Sequence, residues 1–114
     1  MAEVKVDKPW GWYKVVADES DFKVKILMVK PKMRLSLQSH MMRDERWCMI
    51  KGRGIVTVGT DSLLEKGDTI FIPRGKKHRI KNTGEEDLYF VEVQTGDYFG
   101  EDDIVRFEDD FNRL

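Results

Sequence analysis

Apolar residues come in short runs along this chain: VKILMV (24 to 29), LSLQSH (35 to 40), RWCMIK (46 to 51), GIVTV (54 to 58), TIFI (69 to 72), HRIK (78 to 81) and LYFVEV (88 to 93). They are four to six residues long and, taken together, rich in β-branched and aromatic side chains, which predicts strands rather than helices. Gly11, Pro31, Gly52, Gly54, Gly59, Gly67, Pro73, Gly75, Gly84 and Gly96 punctuate the runs. GTDS (59 to 62), EKGD (65 to 68), PRGK (73 to 76) and NTGEED (82 to 87) offer Gly, Asn or Asp where tight turns need them. Only the tail changes character: GEDDIVRFEDDF (100 to 111) places Asp and Glu ahead of Ile104, Val105 and Phe107. That pattern predicts a short N-capped helix or an edge segment. The expected fold class is all-β, a sandwich or small barrel whose inward-facing residues converge on one cavity. No internal repeat, low-complexity tract or linker interrupts the chain.

At 114 residues and 13.4 kDa the chain has the size of one domain, so residues 1–114 are read as a single unit. Its hydrophobic share of 40% suffices for one core and exceeds that of a disordered chain. Twenty Lys and Arg against 21 Asp and Glu leave a net charge of −1, which argues against a general nucleic-acid binder. Cys48 has no second cysteine to pair with, and no apolar run approaches membrane-spanning length. With a charged N-terminus unlike a signal peptide, a reducing cytoplasm is the expected location, with no membrane partner.

The candidate chemistry lies around the chain's two histidines. Gln38 and His40 are two apart, so on a strand they share one face while Leu35 and Leu37 take the other. Glu45 follows after a gap long enough for a turn, with Trp47 and Met49 sharing its face, and His78 comes directly after the PRGKK turn. Two imidazoles, a carboxylate and an amide oxygen form a mixed donor set that suits Zn²⁺, Mn²⁺, Fe²⁺, Co²⁺ or Ni²⁺.

These stretches also resemble a family. Lys32 to Gly52 is similar to the first cupin motif, G-x5-H-x-H-x4-E-x6-G, with Lys32 for the first Gly, Gln38 for the first His, and every spacing kept. Gly67 to Asn82, GDTIFIPRGKKHRIKN, matches the second motif, G-x5-P-x-G-x2-H-x3-N, at each position. More narrowly, KPWGWY, LSLQSHMMRDERW, IPRGKKHR and VEVQTGDYFGEDDIVRFEDDF resemble the C-terminal isomerase domain of type II phosphomannose isomerases, in which a Gln replaces the first motif histidine. The resemblance implies a cupin, that is, a double-stranded β-helix or jelly-roll barrel, holding one divalent metal, most often Zn²⁺. It implies Gln38, His40, Glu45 and His78 as ligands, and interconversion of mannose 6-phosphate and fructose 6-phosphate with Arg43 as a catalytic residue.

Isomerisation through an enediol needs a general base, for which Glu92, Gln94, Glu101 or a metal-bound hydroxide are the candidates. Arg46, Arg79, Lys77 and Arg106 are the expected phosphate contacts, within a pool that also holds Arg43, Lys76 and Arg113. Met41, Met42 and Arg46 stand where the family commonly has histidines, and Phe111-Asn112-Arg113 stands for a closing Tyr-Gly-Arg. These departures keep open a metal-containing sugar-binding module without turnover, or another cupin enzyme such as an epimerase or oxygenase. Type II enzymes commonly carry a nucleotidyltransferase domain. These 114 residues lack its Gly-rich nucleotide loop and are not expected by themselves to make GDP-mannose. A homodimer is expected from the edges such a barrel must cover.

Several of these residues also have plain structural readings. Trp10, Trp12, Trp47 and Phe71 could stack on a sugar or serve as core and dimer contacts. Lys76-Lys77 reads as a solvated pair, Cys48 as a small buried hydrophobe, and Glu101-Asp102-Asp103 as charge at a helix start.

Overall fold

A computed structural model describes residues 4–114. Eleven strands run in chain order among them: β1 (Lys5–Lys8), β2 (Gly11–Asp18), β3 (Phe22–Val29), β4 (Leu37–Ser39), β5 (Arg43–Lys51), β6 (Gly54–Val58), β7 (Thr60–Leu64), β8 (Thr69–Ile72), β9 (His78–Asn82), β10 (Leu88–Gly96) and β11 (Val105–Glu108). They form a six-stranded sheet of order β1-β2-β3-β10-β5-β8 and a five-stranded sheet of order β11-β4-β9-β6-β7, with antiparallel pairing throughout. The expected all-β class holds. No helix occurs among the described residues, and the tail takes the edge alternative: β11 pairs with β4.

The acidic residues ahead of β11 therefore start no helix. They lie in a turn, where the Asp103 carboxylate accepts the backbone N–H groups of Met41 and Met42, both at 3.0 Å. Leu35 also departs from the expected alternation. Its residue is buried in the core beside the cavity: residues 33–36 form no regular strand, yet they are tied to β9 by the Leu35 N–H to Ile80 carbonyl bond at 3.0 Å, the Asn82 N–H to Met33 carbonyl bond at 2.9 Å and an isolated bridge between Arg34 and Lys81. Strands β1, β2 and β7 lie outside the seven apolar runs, since they mix charged residues into the pleat.

Register explains where the site lies. In β5, Arg43, Glu45, Trp47 and Met49 alternate inward, as do Leu88, Phe90, Glu92 and Gln94 in β10. The two strands pair Met49 with Phe90, Trp47 with Glu92 and Glu45 with Gln94, and β10 pairs Val29 with Leu88, Leu27 with Phe90 and Lys25 with Glu92. The interior is thus graded, with Val29, Met49, Leu88 and Phe90 filling one end of the barrel and Lys25, Arg43, Glu45, Glu92 and Gln94 the other. Burying the first group drives folding. The second has no such reason to be inside and needs partners there.

A motif residue, Asn82, and a glycine beyond the first motif, Gly54, are explained by fold alone. Asn82, fully buried, donates from Nδ2 to the Val29 and Glu86 carbonyls, both at 2.8 Å, and accepts the Gly84 N–H at 2.9 Å. At Gly54 a Cβ would lie 2.6 Å from the Lys81 carbonyl oxygen and 2.7 Å from Leu88 Cδ1. Gly54→Ala is expected to cost about 1–3 kcal/mol by overpacking, read as a lowered urea midpoint with an unchanged slope.

Candidate functional site

At the polar end, β4 delivers Gln38, the residue just past it is His40, β5 delivers Glu45, and β9 begins with His78. Single ligand atoms of His40, Glu45 and His78 lie within 4.8 Å of one another, and all three side chains are buried. His40 Nε2 is 3.3 Å from Glu45 Oε2, and His78 Nε2 is 3.8 Å from Glu45 Oε1. Each imidazole is oriented from behind: His40 Nδ1 is 2.7 Å from the Asp103 carbonyl and His78 Nδ1 is 2.9 Å from the Lys76 carbonyl. A carbonyl only accepts, so both rings carry their proton on Nδ1 and present an Nε2 lone pair to the centre.

Electrostatics keep that form. Burial, then Arg43 and His78, lowers the His40 pKa to about 4, and burial likewise lowers His78. Both rings are therefore neutral at pH 7, the state a metal requires. His78 Nε2 is buried with no hydrogen-bond partner among the described residues, a cost that a cation would remove. The donor set fits a divalent metal. Gln38 lies across from His78 in register, and its amide nitrogen is committed to Ser36, with Oγ at 3.0 Å and the carbonyl at 3.3 Å. Its carbonyl oxygen is the atom left for a ligand.

Arg43, 5% exposed, fills the space between these groups: Nε donates to Glu45 Oε2 at 2.8 Å, Nη2 lies 3.3 Å from His40 Nε2, and Nη1 donates to the Gly100 carbonyl at 3.4 Å. Trp47 Nε1 donates to Glu45 Oε1 and Glu92 Oε1, both at 3.0 Å. Glu92 also accepts Gln94 Nε2 at 2.7 Å. Burial, then the charge of Glu45, pushes the Glu92 carboxyl up to about 7. Gln94 Oε1 is buried and unpaired among the described residues.

The cavity before these groups is lined by Gln38, His40, Arg43, Trp47 and Glu92, and also by Lys8, Trp10, Tyr13, Lys25, Glu101, Arg106 and Arg113. Its cavity volume is about 70 Å³, and about 520 Å³ of empty space once the open mouth is included. Of the expected phosphate contacts, Arg106 reaches this cavity and three do not. Arg46 is exposed on the outer face of β5 and stacks 4.7 Å from Phe71. Arg79 points away from His78, donating to the Leu35 carbonyl at 3.1 Å and to Glu108 at 2.8 Å. Lys77 is exposed, 4.2 Å over Phe107. Arg46 and Arg79 each directly follow an inward-facing residue, and strand alternation turns them outward.

Cys48 is half-buried on that same outer face rather than in the core. Among the aromatic candidates Trp10 and Trp47 line the cavity, while Phe71 is exposed and Trp12 packs on Tyr89 with ring centroids 5.9 Å apart. Lys8, Tyr13 and Lys25 were not foreseen. Their signal is the register that aligns Lys25 with Glu92, which a single strand does not reveal.

Arg113 is held by Asp109, whose Oδ2 accepts from Nε at 2.7 Å. That hydrogen bond lowers the Asp109 pKa to about 2. A carboxyl depressed in the folded state stabilises above its unfolded pKa, so stability is expected to fall as pH drops from about 4 toward 2. Asp109→Asn should flatten that part of an acid-unfolding curve.

The family model described as "Mannose-6-phosphate isomerase C-terminal" matches residues 1–109. The chain is 46% identical over 110 residues to the xanthan biosynthesis protein XanB of Xanthomonas campestris, covering 96% of this chain and 24% of that protein. It is 41% identical over 104 residues to the mannose-1-phosphate guanylyltransferase of Sinorhizobium fredii, covering 90% of this chain and 20% of that enzyme. The chain thus spans about a quarter or less of these relatives. In shape it matches a Klebsiella pneumoniae protein with a double-stranded β-helix domain at a TM-score of 0.79 and 22% identity, covering 92% of this chain and 90% of that one.

These relatives correct the expected reaction. They are named for polysaccharide biosynthesis and guanylyl transfer, and the mannose 6-phosphate to fructose 6-phosphate isomerisation drawn from the resemblance is set aside. With the match running over nearly its whole length on a double-stranded β-helix, the chain belongs to the cupin family of mannose-6-phosphate isomerase C-terminal domains, whose curated relatives are guanylyltransferase-type enzymes.

Proposed function

We propose that the chain is a metal-holding cupin domain that binds a mannose phosphate in the making of polysaccharide precursors, without isomerising it. The observation that carries this reading is one cavity in which His40, a member of the His40, Glu45 and His78 donor cluster, and Gln38 share the lining with the cations Lys8, Lys25, Arg43, Arg106 and Arg113. His40, His78, Glu45 and Gln38 would hold the metal, with Zn²⁺ the first expectation and Mn²⁺, Fe²⁺, Co²⁺ and Ni²⁺ compatible with the same donors. When bound, a divalent cation supplies a Lewis-acidic centre for sugar oxygens. The chain's own residues do the rest: Trp10 and Trp47 wall the cavity, Arg43 ties Glu45 in place, and the lysines and arginines supply positive charge for a phosphate. Mannose 1-phosphate is favoured because guanylyltransferase relatives are named for it.

The test is to load the purified protein with Zn²⁺ or Mn²⁺, measure metal content, and titrate mannose 1-phosphate, mannose 6-phosphate and mannose by calorimetry. One metal equivalent and binding of a mannose phosphate far tighter than of mannose is the expected result. Metal-loaded protein that binds neither phosphate would overturn the reading.

A further inference from the structure

Lys25 is the unusual cation of the cavity. It sits mid-strand in β3, between Val15 of β2 and Glu92 of β10, and is 4% exposed, so its ammonium cannot retreat to solvent. A buried ammonium needs an anion. The anion it has is Glu101, at 2.6 Å from Nζ, with Lys23 adding a second contact at 3.6 Å. The partners are unequally held. The Lys25 side chain is 5% exposed, while Glu101 is 50% exposed and comes from the turn that precedes β11. One member of the pair is fixed in the barrel wall and the other hangs from the mouth.

A second observation points the same way: in the same cavity Arg106 has a buried Nε that donates to no partner among the described residues. Tyr13 completes the surroundings, its ring 4.3 Å from the Lys25 ammonium.

We propose that Lys25 and Arg106 form the phosphate subsite of this cavity, and that Glu101 occupies it as an internal stand-in that a phosphate monoester displaces. The inference rests on the proposed function above and names the group by which the ligand is held. A phosphate monoester carries more charge than a carboxylate and three acceptor oxygens, enough to take the Lys25 ammonium and the free Arg106 Nε–H together. Glu101, with its side chain 50% exposed, gives up its contacts to Lys25 and Lys23 on leaving and regains water in their place. Its turn is also fastened to the metal site, because two residues on the Asp103 carbonyl is 2.7 Å from His40 Nδ1. Release of Glu101 is therefore felt at a metal-binding imidazole.

The test titrates metal-loaded protein with inorganic phosphate, mannose 1-phosphate and GDP-mannose, using calorimetry and ³¹P NMR, in wild type, Glu101→Gln, Lys25→Met and Asp102→Asn. Removing the competing carboxylate should tighten phosphate and mannose 1-phosphate about tenfold, the change that follows from roughly 1.4 kcal/mol of lost competition. Asp102→Asn, a neighbouring turn carboxylate bonded to Tyr98, should change nothing. Lys25→Met, an apolar replacement of similar length that buried sites commonly accept, should abolish phosphate binding while one metal equivalent and the folded spectrum remain.

Unchanged or weaker phosphate binding in Glu101→Gln would overturn the stand-in. Undiminished binding in folded Lys25→Met would overturn the subsite while leaving the metal-dependent sugar reading intact. Preference for GDP-mannose over both monoesters would overturn the monoester assignment. Loss of metal from wild type itself would instead strike the underlying functional reading.

Discussion

Glu45→Ala is expected to leave the protein without bound metal and to lower the stability of the metal-free fold by about 3–5 kcal/mol, the range for removing one partner of a buried ion pair. The side chain is 1% exposed and four groups converge on it: Arg43 Nε at 2.8 Å, Trp47 Nε1 at 3.0 Å, His40 Nε2 at 3.3 Å and His78 Nε2 at 3.8 Å. Truncation removes the carboxylate that lies between the two imidazoles and strands the Arg43 guanidinium in the interior. Glu45→Gln separates the two effects. It keeps a side chain of the same shape with an acceptor oxygen, and so should retain more of the fold than alanine does while still losing metal affinity. Metal content after dialysis and urea unfolding of chelated protein read both quantities. A full metal equivalent in Glu45→Ala would sink the assigned site.

Trp47→Ala is the second large effect, because the indole combines packing with polar satisfaction. It is 2% exposed, its ring lies 4.6 Å from that of Phe90 and 5.6 Å from that of His78, and its N–H is shared between Glu45 and Glu92. Truncating a buried aromatic costs about 3–5 kcal/mol, and losing the donor to two buried carboxylates adds about 1–3 kcal/mol. Together these approach the whole stability of a domain this size. Trp47→Phe keeps most of the volume and loses only the N–H, so about 1–3 kcal/mol is expected. Urea midpoints of both variants decide it: a phenylalanine variant as unstable as alanine would assign the effect to hydrogen bonding, and one equal to wild type would deny the shared bond any net value.

Much of this site could be read before the structure, for reasons that differ by residue. Strand alternation carried Gln38 and His40 to one face and set Trp47 and Met49 beside Glu45, because the pleat is a local property. The same parity also turns Arg46 away from Glu45 and Arg79 away from His78, so their charge and family position were the weaker guides. Lys25 was hidden for the opposite reason. Second in the apolar run VKILMV, it carries no local mark of a site residue until pairing across three strands aligns it with Glu92. The tail was harder still, since an acidic stretch before apolar residues suits a helix start as well as a turn. Only the distant pairing of β11 with β4, and the hold of Asp103 on Met41 and Met42, selected the turn.

The strand order has a kinetic consequence. β10 lies between β3 and β5, although it is made long after both, and His78 must cross from β9 to meet Glu45. The donors cannot assemble on a partly folded chain, so metal cannot nucleate this barrel as zinc does a finger peptide. Closure by such distant pairings is slow, and an ion held by these donors would enter a finished cage. Metal present during refolding should leave the folding rate unchanged and prolong the lifetime of the folded state instead.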